Sequence, residues 1–461
     1  MAAGSENVYG RVILVARFSF FWMEIGLAKS FGVLVPELEE QLHTSNAIIG
    51  LIASLSMATM YLGAPIAQIM LNHSSHPRLV TSLSGLLAGV AFILSAFTRN
   101  VVALSFLFFT TGFCCAILNL QVMVLLYQYF PDDFAYVSCI SVLGIPVGAA
   151  VLPPVTEMLL ETYGLSGSLL IVGAVVLHMF PIGLVMRPRK RLASRPRDER
   201  DKDKAIPLMD SDNPAGSQTD ALHSEAVLAI EIQDKSKSTK KGISAILRAI
   251  QLDVLIKEPI FTAFLLPSVL LVYLATSGWA LFLVVYALYE GVDLARGAYL
   301  ATSGACGGVC SSALMSVMLR FRGQWSPQLY ILSLCIASVG FFIQLLDSSY
   351  PYLVATSFII GFGVFGSNVT MEAVLSWLVS PENFADASNP FFFCVGLGCV
   401  LAGYTAGSIQ DRTNNPKMVF VFLGSSMIAA LVFILGGCLA KWRRSRRMSK
   451  FEKPEYAREK I

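Results

Sequence analysis

The chain has 461 residues, of which 55% are hydrophobic and only 14% charged, with a formal net charge of +3 and a mean hydropathy of +0.64. Soluble domains carry about 25% charged residues, so this chain cannot cover itself in polar surface; lipid as the solvent accounts for the apolar surplus. The small net charge gives no reason to expect a nucleic-acid partner, and the nine cysteines (Cys114, Cys115, Cys139, Cys306, Cys310, Cys335, Cys394, Cys399 and Cys438) all fall inside apolar runs rather than forming a disulfide framework.

A membrane helix needs about 20 mainly apolar residues. The first such run, 10–37, exceeds the apolar core of a cleavable signal, about 7–15 residues, and reads as a first span that is its own insertion signal. Runs at 47–71, 79–98, 101–128, 135–160 and 168–186 follow. From Arg187 to about Lys241 the chain turns to Lys, Arg, Asp, Ser and Pro, a composition that cannot bury enough apolar area to offset chain entropy and reads as a disordered linker. Residues 242–256, GISAILRAIQLDVLI, place apolar side chains at helical spacing and predict a short amphipathic helix on the membrane surface. Six more runs complete the pattern at 259–287, 296–319, 327–346, 352–379, 389–409 and 418–440, before a basic tail. Within them, Cys306 and Cys310 stand one helical turn apart without a His or carboxylate beside them, and read as packing residues rather than a metal or redox site.

The sum is an all-α membrane protein with about twelve transmembrane helices in two six-helix halves, the pattern of the major facilitator fold, whose halves rock about a central substrate site. The expected divisions are an N-terminal half at 1–186, a charged linker at 187–257, a C-terminal half at 258–441 and a basic tail at 442–461. Linker and tail hold most of the 34 Lys and Arg and are separated by an even number of spans, so they share a side. The excess of basic residues makes that side the cytoplasm, with both termini there and anionic lipid within reach of the tail. The N-x-S/T matches, at Asn72 and Asn368, fall in a cytoplasmic loop and within a span, so no N-glycan is expected.

Particular residues resemble the monocarboxylate transporters. They are the stretch 163–188, YGLSGSLLIVGAVVLHMFPIGLVMRP; GIPVG at 144–148 followed by Pro153 and Pro154; the pair Tyr129-Phe130; LIKEPIF at 255–261; and AGSIQDRT at 406–413 with Phe420 and Gly424 beyond it. All five stand in the family's order and spacing. The departures are equally specific. ENVYGR at 6–11 keeps Glu6, Tyr9 and Gly10 of the first-helix signature but has Arg11 in place of its last tryptophan. Asp132 and Asp133 replace a basic cluster, and the Asp and Arg of the proton-linked eighth helix fall on Gly308 and Ser312. The resemblance therefore implies a carboxylate transporter without the family's usual proton-linked pair.

A charge at mid-membrane costs about 2.5–3.5 kcal/mol on insertion scales and needs a reason. Lys29 falls where the family's first-helix lysine falls, which implies a role in attracting a substrate carboxylate or exchanging a proton; snorkelling to the outer interface is the structural alternative. Glu372 matches an acidic position of the tenth helix, with Asn368 one turn before it on the same face. The pair would line the cavity from the C-terminal half, or hold the bundle together. Glu24 stands about 140° around the helix from Lys29, so a local ion pair is not expected; another helix, or Arg17 two turns earlier, is its candidate partner. Trp279, Tyr273 and Ser312 are possible wall residues, with packing the commoner role for an aromatic at helical spacing. Asn119 and Gln121 read as helix-to-helix bonds, and His178 as a packed histidine of the sixth span.

Taken alone, the residues leave three readings open. The first is an alternating-access transporter of a small organic solute, a monocarboxylate or a carboxylate-bearing zwitterion, with or without a coupled proton. The second is a same-fold transporter of amino acids or cationic metabolites, and the third a non-transporting membrane receptor or scaffold. No nucleophile–base pair, zinc helix or phosphate loop points to an enzyme, and neither cofactor nor metal is expected. The resemblance places the chain in the plasma membrane and allows a single-span accessory glycoprotein as a partner.

Overall fold

A computed structural model describes residues 2–44, 46–187 and 253–451, in which every regular element is a helix. In lipid each backbone N–H and C=O must find its partner within the protein, and a helix achieves this inside a single segment. The N-terminal half comprises α1 (Ala2–Leu42), α2 (Asn46–Leu62), α3 (Ala64–His73), α4 (Pro77–Ser95), α5 (Val101–Tyr129), α6 (Phe134–Val142), α7 (Gly144–Val176) and α8 (Met179–Val185). The short α9 (Asp253–Lys257) and a π turn at Phe261–Leu265 lead into α10 (Leu266–Tyr289), followed by α11 (Leu294–Phe321), α12 (Ser326–Ile343), α13 (Tyr350–Leu378), α14 (Phe384–Thr413) and α15 (Pro416–Phe451).

Local chemistry sets the boundaries. Asn100 starts α5 by accepting a 2.8 Å bond from the Val102 N–H, and Asp293 starts α11 by accepting from the Arg296 N–H at 2.7 Å. Pro77 and Pro416 sit at the first positions of α4 and α15, where no N–H is needed. The run Phe134–Val185 has 52 residues, far more than one crossing needs, and it turns back at Gly164, whose φ of +67° favours glycine. That turn separates the fifth span from the sixth. Nine runs among the described residues are long and apolar enough to cross a bilayer; this doubled run, α1 and the α2–α3 pair bring the crossings to twelve.

The structure adds detail at three places. Span two is two helices, broken after Leu62, and span six is broken again between Val176 and Met179. α1 begins before the apolar run and α15 continues past it into the basic tail. The charged linker from residue 188, and the amphipathic segment up to residue 252, lie outside the described residues; Asp253–Lys257 is helical.

The two halves repeat one packing scheme. The first span lies on the fifth (α1 on α7) as the seventh lies on the eleventh (α10 on α14). The second and third lie on the fourth (α2 and α4 on α5) as the eighth and ninth lie on the tenth (α11 and α12 on α13). Small residues allow these approaches. A Cβ on Gly148 would stand 2.2 Å from the Trp22 carbonyl oxygen, and one on Gly361 would stand 2.0 Å from that of Gly304. Between the halves, α2 and α3 face α14, while α6 and α7 face α11 and α6 also meets α13.

Candidate functional site at the interface between the halves

Arg17 of α1 is fully buried, and its Nη2 donates to both carboxylate oxygens of Glu372 on α13, at 2.6 and 2.7 Å. The Ser138 hydroxyl, on α6, donates to Glu372 Oε2 at 2.5 Å. Next to it the Cys139 thiol reaches the Val369 carbonyl oxygen at 3.4 Å. The Phe21 ring covers the guanidinium carbon at 5.1 Å. Two spans of one half thus close on one span of the other through a buried ion pair. Each charge alone would be expensive in this environment; together they form a neutral, hydrogen-bonded unit. Arg17 Nε and Nη1 have no hydrogen-bond partner among the described residues, so one edge of the guanidinium is uncommitted.

Aromatic rings seal the side of this pair that carries the linker and tail. Tyr127 of α5 stacks on Phe384 of α14, with centroids 3.8 Å apart and planes at 13°, and Phe134 meets the same Phe384 edge-on at 5.0 Å. At the rim Arg320 stands 3.9 Å from Asp133 and lies over the Tyr136 ring at 5.1 Å. On the other side of the pair, towards mid-membrane, Tyr61 faces Tyr273 at 6.1 Å and Phe392 at 6.2 Å. Towards the opposite end, positions Gly403 and Gly407 on α14 look onto nearly open space and Tyr404 is 76% exposed. The molecule is therefore closed from its middle to the linker side.

Below the seal the C-terminal half ties its own ends. Glu258, between α9 and the π turn, accepts from the Ser380 N–H at 3.2 Å, the Ser380 hydroxyl at 2.5 Å and Asn383 Nδ2 at 2.9 Å. Burial pushes this carboxyl up, but the hydrogen bonds from Ser380 and Asn383, helped by the charge of Arg444, outweigh it and hold the group below its ordinary value. Lys441 of α15 donates to the Trp377 carbonyl oxygen and lies over that residue's ring.

The sequence candidates distribute unevenly over this geometry. Glu372 is at its centre, and Asn368, one turn away, is 7% exposed with its Oδ1 unpartnered. Lys29 lies on α1; its side chain is outside the described residues. Glu24 is 8% exposed and lines a narrow cavity within the N-terminal half, with Ser56, Phe108, Thr111, Cys115 and Met179 among its walls. Arg17 bonds to Glu372, not to Glu24. Trp279 is buried against α11, where a Cβ on Gly304 would come within 2.5 Å of its ring, and Ser312 is wholly buried on α11. A Cβ at Gly308 would stand 2.4 Å from the Phe365 ring, so the space for an acidic side chain there is filled. Arg17 was discoverable as an unexplained charge inside an apolar run. Ser138, one serine among many, carried no such signal.

Residues 13–403 match the family described as Major Facilitator Superfamily. Monocarboxylate transporter 2 of Meriones unguiculatus is 27% identical over 99% of this chain and 88% of its own length. The human protein of that name is also 27% identical, over 99% and 90%. Human Monocarboxylate transporter 6 is 24% identical over 95% and 81%. Among solved structures, the transporter FucP in its outward conformation superposes with a TM-score of 0.63 at 15% identity, covering 93% of this chain and 98% of that one. At that identity the likeness speaks for the fold.

Proposed function

We propose that this chain, which belongs to the Major Facilitator Superfamily, is a secondary transporter that moves a small carboxylate-bearing solute, a monocarboxylate or a zwitterion, across the plasma membrane by alternating access. Its linker, tail and termini lie in the cytoplasm, so the sealed side is the cytoplasmic one. The observation that carries the reading is the buried Arg17–Glu372–Ser138 contact between the halves. A buried ion pair is a poor way to gain stability, because an apolar replacement of similar volume is often as good or better. It suits a contact that must form in one state and part in another, when water enters and solvates both charges.

The names of the relatives favour a carboxylate as cargo. Lys29 on α1 receives that carboxylate. Asn368 and Glu372 approach it from the C-terminal half; Glu24, Trp279 and Ser312, buried in the state described, are the further candidates for lining the cleft. Reconstituted protein is to be tested for uptake of a labelled panel of short carboxylates and amino acids, comparing the native chain with Lys29→Ala. Saturable carboxylate uptake lost in the variant is the expected result. Uptake of no panel member by folded protein rejects the carboxylate reading, and uptake of amines alone transfers it to the cationic class.

A further inference from the structure

We propose that Glu24 is a proton-binding site, loaded and unloaded once per transport cycle; the proposal rests on the transporter reading above. Its carboxyl is almost wholly buried, and Oε2 has no hydrogen-bond partner. No cation stands within ion-pair distance among the described residues, and the nearest basic side chain earlier on α1, Arg17, is committed to Glu372. The cavity it lines is otherwise walled mainly by Leu27, Phe31, Phe92 and Phe108. The hydroxyl of Thr111, on the same wall, donates to the Leu107 carbonyl of its own helix at 2.9 Å. An ionised carboxylate placed here would face mainly hydrocarbon, with the Ser56 hydroxyl and Cys115 thiol as its polar neighbours and no counter-ion among the described residues, whereas the neutral acid is tolerated. The cavity has room for about one water molecule, enough to deliver a proton and too little for an organic solute.

The surroundings tie this proton to the movement of the halves. Cys115 of α5 and Ser56 of α2 line the same cavity, and α2 also carries Tyr61, whose ring faces Tyr273 of α10 across the interface at 6.1 Å. Closing the apolar walls around Glu24 requires the acid form, so a proton is taken up from the open side before closure. Opening to water on the other side lets the carboxylate form and the proton leave, one proton per cycle. This supplies a coupling site to a chain whose eighth span has Gly308 and Ser312 where a charged pair would stand.

Two measurements on the full-length protein in proteoliposomes test the proposal. The first is an infrared difference titration of the carboxylic-acid C=O band. In native protein a band should disappear as pH rises, be absent from Glu24→Gln, and persist in Glu372→Gln. A band that survives Glu24→Gln, or a Glu24 band that does not titrate over the pH range in which the protein stays folded, overturns the proposal. The second is uptake of labelled pyruvate with and without an inward proton gradient. The native ratio should be several-fold and fall to unity in Glu24→Gln; a ratio unchanged by the substitution also overturns it. If native protein takes up no pyruvate or other short carboxylate, the transporter reading fails, while the titration still decides Glu24.

Discussion

Removing one partner of the inter-half ion pair should do more than weaken the fold; it should shift the molecule towards its opposite state. Glu372→Gln leaves the Arg17 guanidinium charged, fully buried and deprived of both its bonds to carboxylate. Breaking a buried pair in this way costs about 3–5 kcal/mol. The cost falls on the state closed at the linker side, since opening that side admits water to Arg17. The conformational ratio should therefore move by roughly two to four orders of magnitude towards the state open on that side. Cys139 reports the change: it is buried behind the pair, hydrogen-bonded to Val369. In a background with the other cysteines replaced, maleimide labelling of Cys139 from the linker side should be slow in otherwise native protein and at least tenfold faster with Glu372→Gln. Adding Arg17→Met removes the stranded charge, so labelling should slow again in the double variant. If the single variant labels at the native rate, or the double variant labels as fast as the single, the pair is not the lock described here.

Ser138→Ala deletes a hydrogen bond to a charged acceptor, worth about 1.5–3 kcal/mol; thermal unfolding in detergent should show the loss, and the same substitution should cost much less once Glu372 is already Gln. Phe384→Ala removes the ring shared by Tyr127 and Phe134, and should raise Cys139 labelling without the charge penalty, so Arg17→Met should not reverse it. Gly361→Val sets a branched side chain where a Cβ alone comes within 2.0 Å of the Gly304 oxygen; the eighth and tenth spans cannot then approach, and size-exclusion chromatography should show loss of the monodisperse species. For Glu258 the folded-state value lies below the ordinary one, so its contribution is present above the unfolded carboxyl value and is lost as pH falls through the folded one. Native protein should therefore lose thermal stability on acidification in that window more steeply than Glu258→Gln.

How much of this was legible before folding follows from what each feature depends on. The spans depend on the solvent, and lipid reads composition directly: twenty apolar residues announce a helix whichever way its face turns. The breaks after Leu62 and before Met179 were hidden because a helix bent within an apolar run keeps its hydropathy. The site was harder, since it is built from residues 355 positions apart along the chain. A single sequence shows that Arg17, Glu24, Lys29 and Glu372 each need a reason to be in a membrane, but not which pairs satisfy one another. Helix geometry spoke against a local Glu24–Lys29 pair and left another helix, or Arg17, as the candidate for Glu24, whereas tertiary packing gave Arg17 to Glu372. That choice leaves Glu24 a buried carboxyl without a counter-ion among the described residues. The two carboxyl groups are therefore complementary: one paired with an arginine across the interface between the halves, the other enclosed in a narrow cavity within one half. A carrier with Gly308 and Ser312 in place of a charged pair on its eighth span has use for both, a bond that distinguishes its states and a site that senses which side is wet.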